Sequence, residues 1–141
     1  MTPYIEFISN HPYLFLALFI VTVLIIKAEI DSRLSGVTQS NVQEAVRLMD
    51  QEGMLILDVR EASEYSAGHL RQALHIPMSA LKSRANELDK YKNKTILAYC
   101  RSGNRSNSAC RQLKKSGFDQ IYNLSGGIMA WTNANLPVTK K

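Results

Sequence analysis

Two short apolar runs, MLIL at residues 54–57 and TILAY at 95–99, constrain the fold of this chain more than any other feature. Neither alternates with polar residues, so each suits a strand covered on both faces, as in a parallel sheet sandwiched by helices. Strand and helix patterns alternate from Val37 onward. Ser40 and Gln43 have capping-box spacing, and Val42, Ala45, Val46 and Met49 then repeat as one apolar helical stripe that Gly53 can end. A short strand is expected at 73–76, stopping at Pro77, and a helix at 79–88 with Leu81, Ala85 and Leu88 on one side. A second helix is expected at 104–116, with Ser106, Ala109, Cys110 and Leu113 on one face and Gly117 after it; a strand follows at 120–124 and a helix at 128–135. This alternation predicts an α/β domain with a central parallel sheet and helices on both faces.

Before the domain, residues 13–26 read YLFLALFIVTVLII without a charge. That run is short for a bilayer, which needs about 20 residues. With Asn10 as cap, Pro12 in the first turn and continuation past Lys27 to Ile30, a helix over about 11–30 reaches roughly 30 Å. Lys27 can snorkel, and Tyr4 and Tyr13 suit the interface. The first 26 residues hold no Lys or Arg and no A-x-A pattern follows, unlike a cleaved signal peptide. The run has no polar face, unlike a core or interfacial helix. The organisation expected is an N-terminal segment at 1–30 with one transmembrane helix, a linker at 31–36 and a domain at 37–138. Lys27, Arg33 and all other basic residues follow the apolar run. This charge bias expects a single-pass membrane protein, as in a bacterial inner membrane, with its N-terminus outside and its domain in the cytoplasm.

The net charge of +5 points to an anionic partner. Arg47, Lys82, Arg111 and Lys140 are scattered with no aromatic platform among them, so nucleic acid is not expected; acidic lipid headgroups or a small anion fit better. Two cysteines are too few for a disulfide scaffold, and Cys100 and Cys110 are too far apart for a CxxC pair. His11, His69 and His75 lack ligand spacing with either, so no metal site is expected.

Cys100 carries the chemical signal. It stands where a buried strand ends and a helix begins, the place where open α/β sheets bind ligands. Gly103 permits a tight curve that can turn backbone N–H groups inward, the helix N-terminus adds partial positive charge, and Arg101 and Arg105 add formal charge. All favour thiolate over thiol, which makes Cys100 a nucleophile. Cys110, on the apolar stripe of its helix, reads as an inert buried thiol. Arg60 and Glu64, four apart, are expected to pair beside the loop, with Asp58 ending its strand; these three are read as supporting structure. His69 reads as a packed turn residue and Trp131 as core.

The run Cys100-Arg101-Ser102-Gly103-Asn104-Arg105-Ser106 resembles the active-site loop of rhodanese-family sulfurtransferases. Asp58-Val59-Arg60, Glu64-Tyr65, Gly68-His69-Leu70 and Ile76-Pro77 are similar to that family's first signature. Asn123-Leu124-Ser125-Gly126-Gly127, Ala130-Trp131 and Leu136-Pro137 are similar to its last. Gln72 and Asn135 depart from it where glycine is common; Asn tolerates the left-handed conformation, and Gln72 can alter a turn. The resemblance implies a rhodanese-like fold, with a central parallel sheet of about five strands, and a two-step reaction without metal or organic cofactor. Cys100 takes a sulfur from an anionic donor such as thiosulfate, then passes it from a persulfide to a thiol or cyanide. Arg101, Ser102, Gly103, Asn104 and Arg105 would bind the substrate.

Two other readings are open. A Cys-dependent phosphatase or arsenate reductase would use C-x5-R, whereas Cys100 and Arg105 stand as C-x4-R, a smaller cradle. A membrane-anchored adaptor with this fold would engage an integral-membrane protein, and its role would survive loss of the thiol.

Overall fold

The computed structural model describes residues 3–140 and divides the chain into two compact units, Met1–Ser35 and Gly36–Lys141. In the first unit, α1 (Pro3–Asn10) is followed by α2 (Pro12–Leu34). Pro12 disfavours helical geometry at the residue before it, and His11 takes φ −131°, ψ 51°. The helix cap is therefore His11, without a side-chain hydrogen bond, and not the expected Asn10. Phe7 packs on His11 and Phe15, with ring centroids 4.9 and 6.3 Å apart. The 20 residues Pro12–Asp31 make one helix long and apolar enough to cross a membrane, none of it buried. Thr22, its polar interruption, donates its hydroxyl to the Leu18 carbonyl at 2.8 Å. α2 continues through the start of the expected linker to Leu34, with Arg33 on Glu29 at 2.9 Å.

The second unit is built on a parallel sheet of five strands: β1 (Thr38–Ser40), β2 (Leu55–Asp58), β3 (Leu74–His75), β4 (Ile96–Tyr99) and β5 (Ile121–Leu124). Their order is β1-β5-β4-β2-β3, so β4 lies at the centre. Ile96 pairs with Leu55 on one side and Ile121 on the other. Successive β4 side chains point to opposite faces, as the period of two requires. Ile96 and Ala98 join Leu55, Leu57, Leu81, Leu88, Leu113 and Phe118 in one core, while Leu97 and Tyr99 join Ile56, Leu48, Leu124 and Trp131 in the other. The first core packs under α5 (Asn104–Lys115), and the second under α3 (Val42–Met49) and α6 (Gly127–Asn133). Trp131 is core, and its indole N–H donates to the Pro137 carbonyl at 3.0 Å.

Several local expectations change. Ser40 ends β1, and α3 is capped by Asn41, whose Oδ1 accepts the Glu44 N–H at 2.8 Å. The buried stripe of α3 is Val42, Ala45 and Leu48; Val46 is exposed. The expected helix at 79–88 is instead two 3-10 segments, Met78–Ala80 and Ala85–Tyr91. A short helix the sequence pattern did not suggest, α4 (Ala62–Ala67), begins with Glu61 and Glu64 in a reciprocal capping box.

Gln72 and Asn135 are the described non-glycine residues with positive φ, 60° and 58°. A side chain in this region costs roughly 1–2 kcal/mol, partly offset by the greater unfolded-state freedom of glycine. Gln72→Gly is therefore expected to stabilise the domain by about 0.5–1 kcal/mol, read as a higher urea midpoint.

Candidate active site

β4 delivers Cys100 to the carboxyl edge of the sheet, where the chain turns through Arg101 and Ser102 into α5. The turn closes because Gly103 takes φ 99°, and a Cβ there would meet the Leu124 carbonyl oxygen at 3.2 Å. Cys100 is 1% exposed, whereas Arg101, Ser102 and Asn104 on the rim are exposed. The thiol thus sits at the base of a cradle with a polar mouth.

Its sulfur accepts the Gly103 N–H at 3.1 Å and lies 3.5 Å from the Ser106 hydroxyl. Burial alone would raise this thiol above its ordinary range. The Ser106 hydroxyl and the backbone N–H groups of Ser106, Gly103 and Ser102 outweigh that, and the net result is a lowered pKa. Cys110, also buried, has no such cradle, and burial pushes its thiol up to about 12. Of the two, Cys100 is the one whose surroundings favour the thiolate.

A second wall supports the loop from behind. The first N–H groups of α6 grip it: Ile128 donates to the Cys100 carbonyl at 2.9 Å and Met129 to the Arg101 carbonyl at 3.2 Å. Such an approach leaves no room for a side chain at Gly127, where a Cβ would fall 2.5 Å from the Arg101 oxygen. Gly127 also takes φ 57°. Gly127→Ala is expected to push α6 and the loop apart, lowering both the thermal midpoint and the alkylation rate of Cys100 at pH 7, by about tenfold for the latter.

The expected Arg60–Glu64 pair does not form. Glu64 instead holds Arg105 in a two-pronged bridge, Nη1–Oε2 and Nη2–Oε1 both 2.8 Å. Arg60 turns inward to Asp58 at 2.7 Å, donates to the Gly68 carbonyl at 2.7 Å and lies over the Tyr99 ring. Tyr99 donates its hydroxyl to Asp58 at 2.6 Å and accepts the Leu70 N–H at 3.0 Å. Sequence spacing suggested an i, i+4 contact. A buried Asp58 two residues away and a cation across the loop are better partners, and α4 aims Glu64 at Arg105. The Asp58–Arg60–Tyr99 cluster thereby anchors the segment that carries Glu64, and Glu64 fixes one end of the thiol loop. His69 stacks on Tyr65 at 3.9 Å, beside an antiparallel bridge to Thr139.

The charges differ in availability. Arg105 is partly neutralised by Glu64, although its charge still reaches the Cys100 sulfur. The exposed Arg101 side chain has no partner among the described residues, which leaves its cation for an incoming anion. Arg105 holds the Glu64 carboxyl down to about 2. A carboxylate depressed in this way contributes stability that is fully present above about 4.5 and is lost as pH falls through about 2. Glu64→Gln is therefore expected to lower the urea midpoint slightly at pH 6, by no more than about 1 kcal/mol for so exposed a pair, with the gap closing in stronger acid.

Residues that sequence spacing left without a role complete the cradle. Ser106, wholly buried, faces the sulfur, and its hydroxyl lies 2.5 Å from Asn123 Oδ1. Asn123 donates to the Gly103 carbonyl at 3.1 Å and to Gln39 Oε1 at 2.9 Å. The available signal was a serine on an apolar helix face and an asparagine inside an apolar strand, since buried polar groups need partners. A separate cavity of about 880 Å³, lined by residues such as Met49, Met54, Arg71 and Leu136 near the start of β2, contains neither cysteine.

Comparison with known proteins agrees with this architecture. The model of the rhodanese-like domain family matches residues 41–134. A sulfurtransferase of Allochromatium vinosum is 39% identical over 92 residues, covering 65% of this chain and 84% of the relative. The thiosulfate sulfurtransferase GlpE of Coxiella burnetii is 35% identical over 88 residues, 62% of this chain and 80% of that one. Among solved structures, a rhodanese-related protein of Thermoplasma volcanium superposes with a TM-score of 0.66 at 27% identity, covering 74% of this chain and 99% of its own. With a parallel five-stranded sheet, a cradled cysteine at its central strand and a family match over most of the domain, this chain belongs to the rhodanese-like domain family.

Proposed function

We propose that the protein is a membrane-anchored sulfurtransferase that moves a sulfane sulfur from thiosulfate or another persulfide donor, through Cys100, to a thiol or to cyanide. The observation that carries this reading is the cradle itself: a buried cysteine held toward the thiolate by the N–H groups of residues 102, 103 and 106. Arg101 and the partly neutralised Arg105 draw the anionic donor to the mouth, where Ser102 and Asn104 supply further polar contact. The Cys100 thiolate attacks the outer sulfur. The new Sγ–S bond forms as the donor's S–S bond breaks, and sulfite leaves with that electron pair. The N–H groups then face the anionic outer sulfur of the persulfide. An acceptor thiolate or cyanide attacks this atom, and Sγ leaves as the thiolate that began the cycle. No proton has to be delivered to the sulfur in either step.

A loop with four residues between Cys100 and Arg105 is sized for one added sulfur atom better than for a tetrahedral phosphate. Intact-protein mass after thiosulfate treatment should rise by roughly 32 Da and return on reduction. Absence of the adduct together with hydrolysis of a phosphate ester that depends on Cys100 would overturn the reading. The anchor is α2, in contact with lipid, with the N-terminus outside and the domain in the cytoplasm, where an integral-membrane protein could serve as sulfur donor or acceptor. Reporter fusions at either end of the chain test the orientation; a C-terminal reporter active only outside the cytoplasm would reverse it.

A further inference from the structure

The Ser106 hydroxyl has one proton and three acceptors within reach: Asn123 Oδ1 at 2.5 Å, the Gly103 carbonyl at 3.2 Å and the Cys100 sulfur at 3.5 Å. Which acceptor wins depends on how the Asn123 amide is turned. A backbone carbonyl cannot exchange its role, so the Gly103 oxygen, 3.1 Å away, demands the NH2 end of that amide. Flipping it would set two oxygens against each other. Gln39 supports the same orientation by accepting the second amide hydrogen at 2.9 Å, and its own NH2 group donates to Asn107 Oδ1 at 3.1 Å. Asn123 Oδ1 is thereby fixed facing Ser106, where it can only accept.

We infer that Asn123 is a positioning residue that competes with the Cys100 sulfur for the Ser106 hydroxyl proton, and so sets how strongly the thiolate is held. When Cys100 is a thiol, the Ser106 hydroxyl donates to Asn123 Oδ1 and its oxygen accepts from S–H. When Cys100 ionises, the hydroxyl turns to the sulfur, since a hydrogen bond to an ion is about twice as strong as a neutral one. That rotation gives up the bond to Asn123, so the hydroxyl favours ionisation less than it would with no rival acceptor beside it. The consequence is chemical. A thiolate held less tightly is more basic, and nucleophilicity rises with basicity. The inference rests on the nucleophilic reading of Cys100, but its test needs no sulfur donor, so a protein that fails to transfer sulfur still answers it.

The test is the pH dependence of Cys100 alkylation by iodoacetamide in the full chain in detergent micelles. A merely structural Asn123 would loosen the cradle when removed and move the midpoint up. The proposal expects the reverse. In Asn123→Ala the freed hydroxyl chooses the ionised sulfur over the neutral Gly103 carbonyl, and the midpoint falls. A net hydrogen bond of about 1 kcal/mol corresponds to a rise of about fivefold in the thiolate fraction at a pH below the midpoint, and of about two- to threefold in alkylation rate once the lower nucleophilicity of the less basic thiolate is counted. In a Ser106→Ala background the same change should move nothing. Asn123→Leu, which keeps the branched shape, repeats the test should the smaller side chain leave the loop unfolded. The other groups that act on this pair, Arg105 and Cys110, are the same in all variants. The wild-type chain gives an independent reading: the Asn123 carboxamide carbon resonance should shift at the Cys100 midpoint, and cease to do so in Ser106→Ala. A midpoint in the Asn123 variants equal to or above wild type, an equal shift without Ser106, or a carboxamide resonance indifferent to Ser106 each overturns the proposal.

Discussion

Cys100→Ser should abolish sulfur loading, leaving the intact mass unchanged after thiosulfate and reducing thiocyanate formation by at least about 10³-fold. The reason is the atom and not the fold. Serine is nearly isosteric and can keep the Gly103 N–H contact, but its hydroxyl does not ionise near neutral pH and forms no stable bond to sulfane sulfur. Removing the nucleophile of a covalent mechanism removes the whole two-step path, which is why this loss exceeds that from any supporting residue. Cys110→Ser should load sulfur as wild type does, because that thiol is buried without a cradle. Unfolding midpoints of both variants should remain close to wild type. Retention of the adduct in Cys100→Ser and its loss in Cys110→Ser would move the chemistry to the other cysteine. A cellular role that survives Cys100→Ser would favour an adaptor.

Asp58→Ala should produce the largest loss of stability, about 3–5 kcal/mol by urea unfolding. Its carboxylate is wholly buried and accepts from the Arg60 guanidinium, the Arg60 N–H and the Tyr99 hydroxyl. Without it, Arg60, 5% exposed, becomes a buried cation left among the described residues with the Gly68 carbonyl and Tyr99 but no anion against it. For a domain of this size such a loss lowers the thermal midpoint by on the order of 20 °C. Asp58→Ala combined with Arg60→Met should recover much of it, because the stranded charge and not the missing contact is the main cost. A single-variant effect below about 1 kcal/mol, or a double variant no better than the single, would show the pair to be solvated in solution.

Much of the sheet was legible from sequence because a central parallel strand has no solvent face: the runs at 54–57 and 95–99 correspond to β2, shifted by one residue toward its carboxyl end, and to β4, which begins one residue later and ends at the same place. The position of Cys100 was legible too, since the residue between a buried strand and a helix that begins after Gly103 falls at the carboxyl edge of the sheet. Other short elements were less so. β3 falls inside the strand expected at 73–76, but β1 has three residues, too few for a periodic pattern, and the 3-10 segments at 78–80 and 85–91 imitate helical spacing without its hydrogen bonding.

Local rules, acting over a few residues, determined where strands, turns and Cys100 fall, because burial period and turn chemistry are properties of contiguous sequence. Partner choice was decided only in three dimensions. Arg60 and Glu64 are four apart, yet Glu64 finds a cation 41 positions away, and Ser106 meets Asn123 17 positions on, across the sheet edge. Ion pairs and hydrogen bonds depend on distance and angle at the level of an ångström, and those are set by how strands and helices pack, which no spacing along the chain encodes.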